Sequence, residues 1–150
     1  MTKHAHFLPF ETLPVVPRGL GIVNYPIASK KLGASAFHTG ISELPPGVPV
    51  PRHSHNAEEQ VTVLEGLVKI RLGDREQVCQ RFDSTLISAN VEHELVNVGE
   101  KTAYVLVVYG SPDVNRTFAG SGETVGIGSV IPCETDCAHA GNHGTSAAVA

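Results

Sequence analysis

An all-β domain, built as a sandwich or barrel of short strands, is the fold class this sequence predicts, and three observations carry the expectation. Short runs rich in β-branched and aromatic residues follow one another from residue 36 to residue 109, with little helical periodicity among them. Turn-forming residues punctuate those runs at Pro45-Pro46-Gly47, Glu65-Gly66, Gly73-Asp74, Asn90 and Gly99-Glu100. The stretch before them, residues 7–33, carries Pro9, Pro14, Pro17 and Pro26 among short apolar pieces, which disfavours helices of any length there. At 150 residues the chain fits one domain with a single substantial core.

Taken in order, residues 1–34 read as an extended N-terminal arm, in which Ile22-Val23-Asn24-Tyr25 can add an edge strand or reach across to a second subunit. Residues 35–118 read as the β-domain. Its strands are expected at 36–44, 59–64, 67–72, 76–80, 85–88, 93–97 and 103–109, with a further extended segment around His53 and His55. Side chains two apart on a strand share a face, so Val61 and Val63 lie with Glu59, and Val68, Ile70 and Leu72 lie opposite Lys69 and Arg71. A largely apolar wall carrying a few polar groups is the usual form of a small-molecule site. Residues 119–150 read as a C-terminal extension, rich in glycine and then small and polar, with a flexible end.

One spaced set of residues carries the chemistry. Gly47, His53, His55, Glu59 and Gly66 are followed downstream by His93 and Asn97. On an extended strand His53 and His55 point the same way, and a short turn at Asn56-Ala57 lets Glu59 join them. Neutral imidazoles and a carboxylate suit zinc, iron, manganese, nickel and copper alike, and three or four such ligands leave positions open for water or substrate. His38 and Tyr104, on the strands flanking this set, are further candidates for an acid, a base or a supporting hydrogen bond. Arg52, beside His53, reads as a rim residue or as an anchor for a substrate carboxylate.

The spacing resembles the first motif of the cupin superfamily, in which two histidines and a glutamate meet a histidine of a second motif inside a small β-barrel. The second motif is kept in part: His93 and Asn97 stand in place, while Phe82, Ser88 and Asn90 occupy positions where glycine, proline and glycine are expected. Asparagine tolerates a left-handed backbone, so the turn before His93 is expected to survive. The resemblance implies a small single-domain cupin of the cupin 2 type, folded as a jelly-roll (double-stranded β-helix) barrel. It also implies one divalent metal ion per chain, iron first, held by His53, His55, Glu59 and His93. The implied activity is that of a metal-dependent enzyme on a small oxygenated organic substrate, with an Fe(II)-type dioxygenase in the lead. In such a site Glu59 is a candidate proton acceptor as well as a ligand. The alternatives are a redox-neutral isomerase, decarboxylase or lyase, and a non-catalytic binding module. Small cupins commonly pair, and a homodimer is the expected assembly.

Composition narrows the partners. A net charge of −4 offers no broad basic surface, so nucleic acid is not an expected partner. No apolar run is long enough to span a membrane, and the start lacks the apolar stretch of a signal peptide, so a soluble cytoplasmic protein is expected. Three cysteines do not make a secreted disulfide framework. Two of them belong to Cys133, Cys137, His139 and His143, which hold zinc-ligand types at a spacing unlike a zinc knuckle and read equally as a surface turn or a redox-sensitive thiol pair.

Overall fold

Alternation along each strand decides which side chains turn inward. In β5 (Glu59–Glu65) Glu59, Val61 and Val63 are buried while Gln60 faces out, and in β10 (Ala103–Tyr109) Ala103, Val105, Val107 and Tyr109 are buried in the same rhythm. In the computed structural model, which describes residues 5–127, such strands assemble into two six-stranded antiparallel sheets. The first runs β1 (Val16–Gly19), β2 (Ile22–Pro26), β3 (His38–Leu44), β10, β5 and β8 (Ser84–Ile87). The second runs β12 (Thr124–Gly126), β11 (Asn115–Phe118), β4 (Pro49–His55), β9 (His93–Asn97), β6 (Val68–Leu72) and β7 (Arg75–Cys79). One apolar core joins the inner faces, with Ile22, Leu44, Val61, Val63 and Val105 from the first sheet meeting Val68, Ile70 and Leu95 from the second. The order is that of the expected jelly-roll.

Both ends of the described segment are more regular than the sequence implied. The N-terminal segment is not only an arm: β1 and β2 fold as a hairpin that pairs with β3 and extends the first sheet. Pro17 is accommodated because β1 is an edge strand, where a missing amide donor costs no ladder bond. Beyond residue 118, β12 pairs with β11 although its surroundings are rich in glycine. The intervening turn closes by Gly122 N–H to Phe118 O at 2.8 Å and Phe118 N–H to Glu123 O at 2.9 Å. No helix among the described residues is long and apolar enough to cross a membrane.

Two positions in the turns have a clear steric basis. Asn90 adopts φ 66°, the left-handed conformation expected of it, and its amide donates to the His55 carbonyl at 2.8 Å, tying the turn before His93 to β4. Gly66 has φ 94°, and a Cβ there would lie 2.8 Å from Cβ of the fully buried Ala103. Backbone and neighbour both forbid a side chain. We expect Gly66→Ala to destabilise the fold by about 2–3 kcal/mol in chemical denaturation. Gly47→Ala, at φ 75° with nothing within 4 Å of the added carbon, should cost only about 1 kcal/mol. Equal losses at the two positions would show that the Ala103 contact is not what selects glycine.

Candidate metal centre

A β-bulge builds the first half of the site. In the pairing of β4 with β9, Val50 lies opposite Leu95 but His53 lies opposite His93, so β4 holds one extra residue between them. Without that residue, side chains three apart would face opposite sides of the sheet; with it, Val50, His53 and His55 all turn inward. The bulge is at Pro51-Arg52, and the Pro51 carbonyl that it frees accepts from Nδ1 of His53 at 2.6 Å. His93 is set from the neighbouring strand, and Glu59 begins β5 on the opposing sheet. All four residues are at most 3% exposed.

The second nitrogen of each ring is fixed by what surrounds the first. Nδ1 of His55 lies 2.8 Å from the Asn115 carbonyl and Nδ1 of His93 lies 2.8 Å from the Val91 carbonyl, as that of His53 meets Pro51. A carbonyl only accepts, so each neutral imidazole carries its proton on Nδ1 and keeps a lone pair on Nε2. Those lone pairs converge. Ligand atoms of His53, His55 and His93 all lie within 4.8 Å of one another, and Glu59 Oε2 stands 2.9 Å from His93 Nε2 and 3.3 Å from His55 Nε2. Donors about 2.1 Å from a common cation lie about 3 Å apart, close to the distances of Glu59 Oε2 from His93 and His55. Nε2 of His55, Nε2 of His93 and Oε2 of Glu59 are buried atoms without a well-formed hydrogen bond. A divalent ion fits this set, since it would satisfy every one of those atoms at once.

Electrostatics favours neutral imidazoles in two of the three positions. Burial pushes the His53 pKa well below the ordinary imidazole value, and the neighbouring His93 and His55 push it further. Burial likewise lowers His55, against the opposing charge of Glu59. For His93 burial also works against the charged form, but the Glu59 carboxylate 2.9 Å away outweighs it and the pKa is raised.

The other sequence candidates fall elsewhere. Tyr104 lies outside the site, because on β10 it alternates with the buried Ala103 and Val105, and its hydroxyl donates to Glu43 Oε1 at 3.0 Å. His38 is on the inner face but pairs with Tyr109, which in turn pairs with Glu59, so two strand spacings, about 10 Å, separate it from the carboxylate. Its ring is 6.0 Å from that of Tyr109. Arg52 points outward at the rim and pairs with Glu92 at 2.9 Å, both side chains about half exposed. The Cys133, Cys137, His139 and His143 cluster lies outside the described residues.

Three residues that the sequence reading passed over complete the surroundings. Tyr109 is 4% exposed, and its ring meets His55 edge-on at 4.8 Å. Burial, reinforced by the charge of Glu59, holds its hydroxyl well above the usual phenol range, so it is a neutral donor. Arg18 and Arg116, at 1% and 4% exposure, line the cavity that reaches His53, Glu59 and Tyr109. The alternation of Arg116 with the inward Phe118 was a usable sign of its direction; nothing in the sequence marked Arg18.

In sequence, residues 40–109 match the cupin domain family. No curated protein matches the chain. In structure it is similar to the oxalate decarboxylase of Lactobacillus farciminis, solved as a formate complex, with a TM-score of 0.66 at 22% identity over 73% of this chain and 34% of that one. The chain thus spans about a third of that enzyme's length. It is also similar to the polyketide cyclase RemF of Streptomyces resistomycificus, with a TM-score of 0.62 at 23% identity over 81% of this chain and 89% of that one. An RmlC-like cupin from Shewanella frigidimarina gives a TM-score of 0.63 at 18% identity over 75% and 95%. At these identities the likeness is one of fold.

Proposed function

We propose that this chain, a small cupin-domain protein, is a metal-dependent enzyme acting on a small oxygenated organic substrate, with an Fe(II)-dependent dioxygenation as its leading reaction. The observation that carries this reading is the buried cluster of His53, His55 and His93, whose ligand atoms lie within 4.8 Å of one another, with Glu59 Oε2 2.9 Å from His93 Nε2 and each Nδ1 at a backbone carbonyl. Such a mixed nitrogen and oxygen set suits Fe(II), and among the described residues no thiolate joins it, since Cys79 is on β7, away from the cluster. A bound divalent ion supplies Lewis acidity and, as iron, one-electron chemistry.

The chain's own groups supply the rest. The carbonyl-anchored histidines hold their rings in one tautomer and orientation, so little reorganisation accompanies substrate entry. Glu59 offers a carboxylate that accepts a proton at Oε2, and the neutral Tyr109 hydroxyl beside it is a donor. Val105, Val107 and Leu95 line the cavity and keep water from the reacting atoms. The pairing of a buried carboxylate with a neutral phenol also favours a second reading, a redox-neutral proton transfer such as isomerisation or decarboxylation.

The test is elemental analysis of protein purified without added metal, followed by turnover of small keto acids, hydroxy acids and phenols with and without oxygen. Stoichiometric iron and oxygen uptake matched to substrate loss is the expected result. Turnover that persists without oxygen selects the redox-neutral reading. Trace metal overturns both, and ligand binding without turnover leaves a binding module.

A further inference from the structure

Two guanidinium groups enter the cavity from opposite sheets, Arg18 from β1 and Arg116 from β11. Arg116 is the antiparallel partner of His55, so the two side chains stand next to each other on the inward face. Arg18 lies close enough to His53, His55 and Tyr109 to perturb all three. Both arginines fall outside residues 40–109 and so are no part of the family match.

One charge in this cavity has no partner among the described residues. Among the described residues Glu59 is the only buried carboxylate, and it is engaged by His93 at 2.9 Å. Nε and Nη1 of Arg116 are buried without a hydrogen-bond partner among the described residues. An arginine cannot shed its proton to escape that cost, and a buried charge without a partner is strongly unfavourable. A divalent ion at the histidines would add further positive charge. Among the described residues no carboxylate pairs with Arg116. A guanidinium fork matches the planar geometry of a carboxylate, and the small free space beside it, about 30 Å³, favours a compact occupant.

We propose that this cavity binds a short-chain carboxylic acid, its carboxylate held by Arg116 with Arg18 and its remaining atoms against Val105 and Val107. The inference rests on the reading of the centre as a metal-dependent enzyme and names the substrate class of that same site.

The experiment is a calorimetric and thermal-shift titration of the full chain with acetate and pyruvate. Acetamide and pyruvamide serve as uncharged counterparts and inorganic phosphate as a competing anion. Wild type, Arg116→Gln and Arg116→Met are compared, metal-loaded and after chelation. The carboxylates are expected to bind and raise the melting temperature while the amides do not. Arg116→Gln should weaken carboxylate binding by about 10–100-fold, the range for a hydrogen bond to a charged group, with metal content unchanged. Without ligand, Arg116→Met should melt above the wild type, because it removes a buried charge without a partner among the described residues and keeps most of the side-chain volume. A purely structural arginine gives the reverse: a lower melting temperature for Arg116→Met and wild-type carboxylate affinity in Arg116→Gln. Amides binding as well as carboxylates, or phosphate binding more tightly than either acid, also overturns the proposal. Failure of the metal reading registers separately, as trace metal in the wild type, while the titration of the chelated protein still decides the carboxylate question.

Discussion

His93→Ala is expected to reduce bound metal from about one ion per chain to trace, with a loss of affinity of at least about 100-fold. Replacement of a group that merely supports a ligand typically costs 10–100-fold, and His93 is itself a donor, so the loss should meet or exceed that range. Its Nε2 stands 2.9 Å from Glu59 Oε2, and its Nδ1 is fixed by the Val91 carbonyl, so no neighbouring group can take its place without a backbone shift. The same change should cancel a stability term. A ligand present at a thousand times its dissociation constant stabilises the folded state by about 4 kcal/mol, so a chelator should lower the melting temperature of the wild type and leave that of His93→Ala nearly unchanged. Elemental analysis and chelator-dependent melting together check this. Stoichiometric metal in the variant would remove His93 from the ligand set, and a wild type indifferent to chelator would remove the stability linkage.

Asn97→Ala should be the most destabilising single substitution of a polar residue outside the metal set, at about 3–5 kcal/mol. Asn97 is fully buried, and its side chain makes three hydrogen bonds: Nδ2 donates to the Leu44 carbonyl at 2.9 Å and to the Lys101 carbonyl at 2.7 Å, and Oδ1 accepts from the Gly99 amide at 2.9 Å. They tie the turn between β9 and β10 to the end of β3. Alanine leaves those backbone groups in or near the interior without partners, and each such loss costs about 1–3 kcal/mol. The residue that completes the second motif therefore acts on the fold and not on the chemistry. Denaturant unfolding of the variant checks the loss, and metal content measured below its melting temperature should stay near that of the wild type. A loss under about 1 kcal/mol would show that water replaces the side chain, and metal lost from a folded variant would assign Asn97 to the site.

The carboxylate and the imidazoles were legible in the sequence because their geometry is local. Residues two apart on a strand share a face, so His53 with His55 and Glu59 with Val61 and Val63 follow from period two alone. Most strand positions between β3 and β10 followed in the same way, and Asn90 follows from the conformations open to asparagine. Tyr104 and His38 show the limit of that reasoning. Periodicity says which residues share a face but not which face is inside, and it does not say how far around the barrel a residue stands.

What the sequence by itself determined was the strand alternation, the turn chemistry and the types of donor available to a metal. Only the tertiary structure decided that a bulge at Pro51-Arg52 turns His53 inward together with Val50, that Tyr109 separates His38 from Glu59, and that Arg18 and Arg116 meet the histidines from the two ends of the chain. The physical reason is range. Backbone periodicity is set by neighbours along the chain, whereas register, bulges and the company of a buried charge are set by strands distant in sequence, whose pairing no local pattern records.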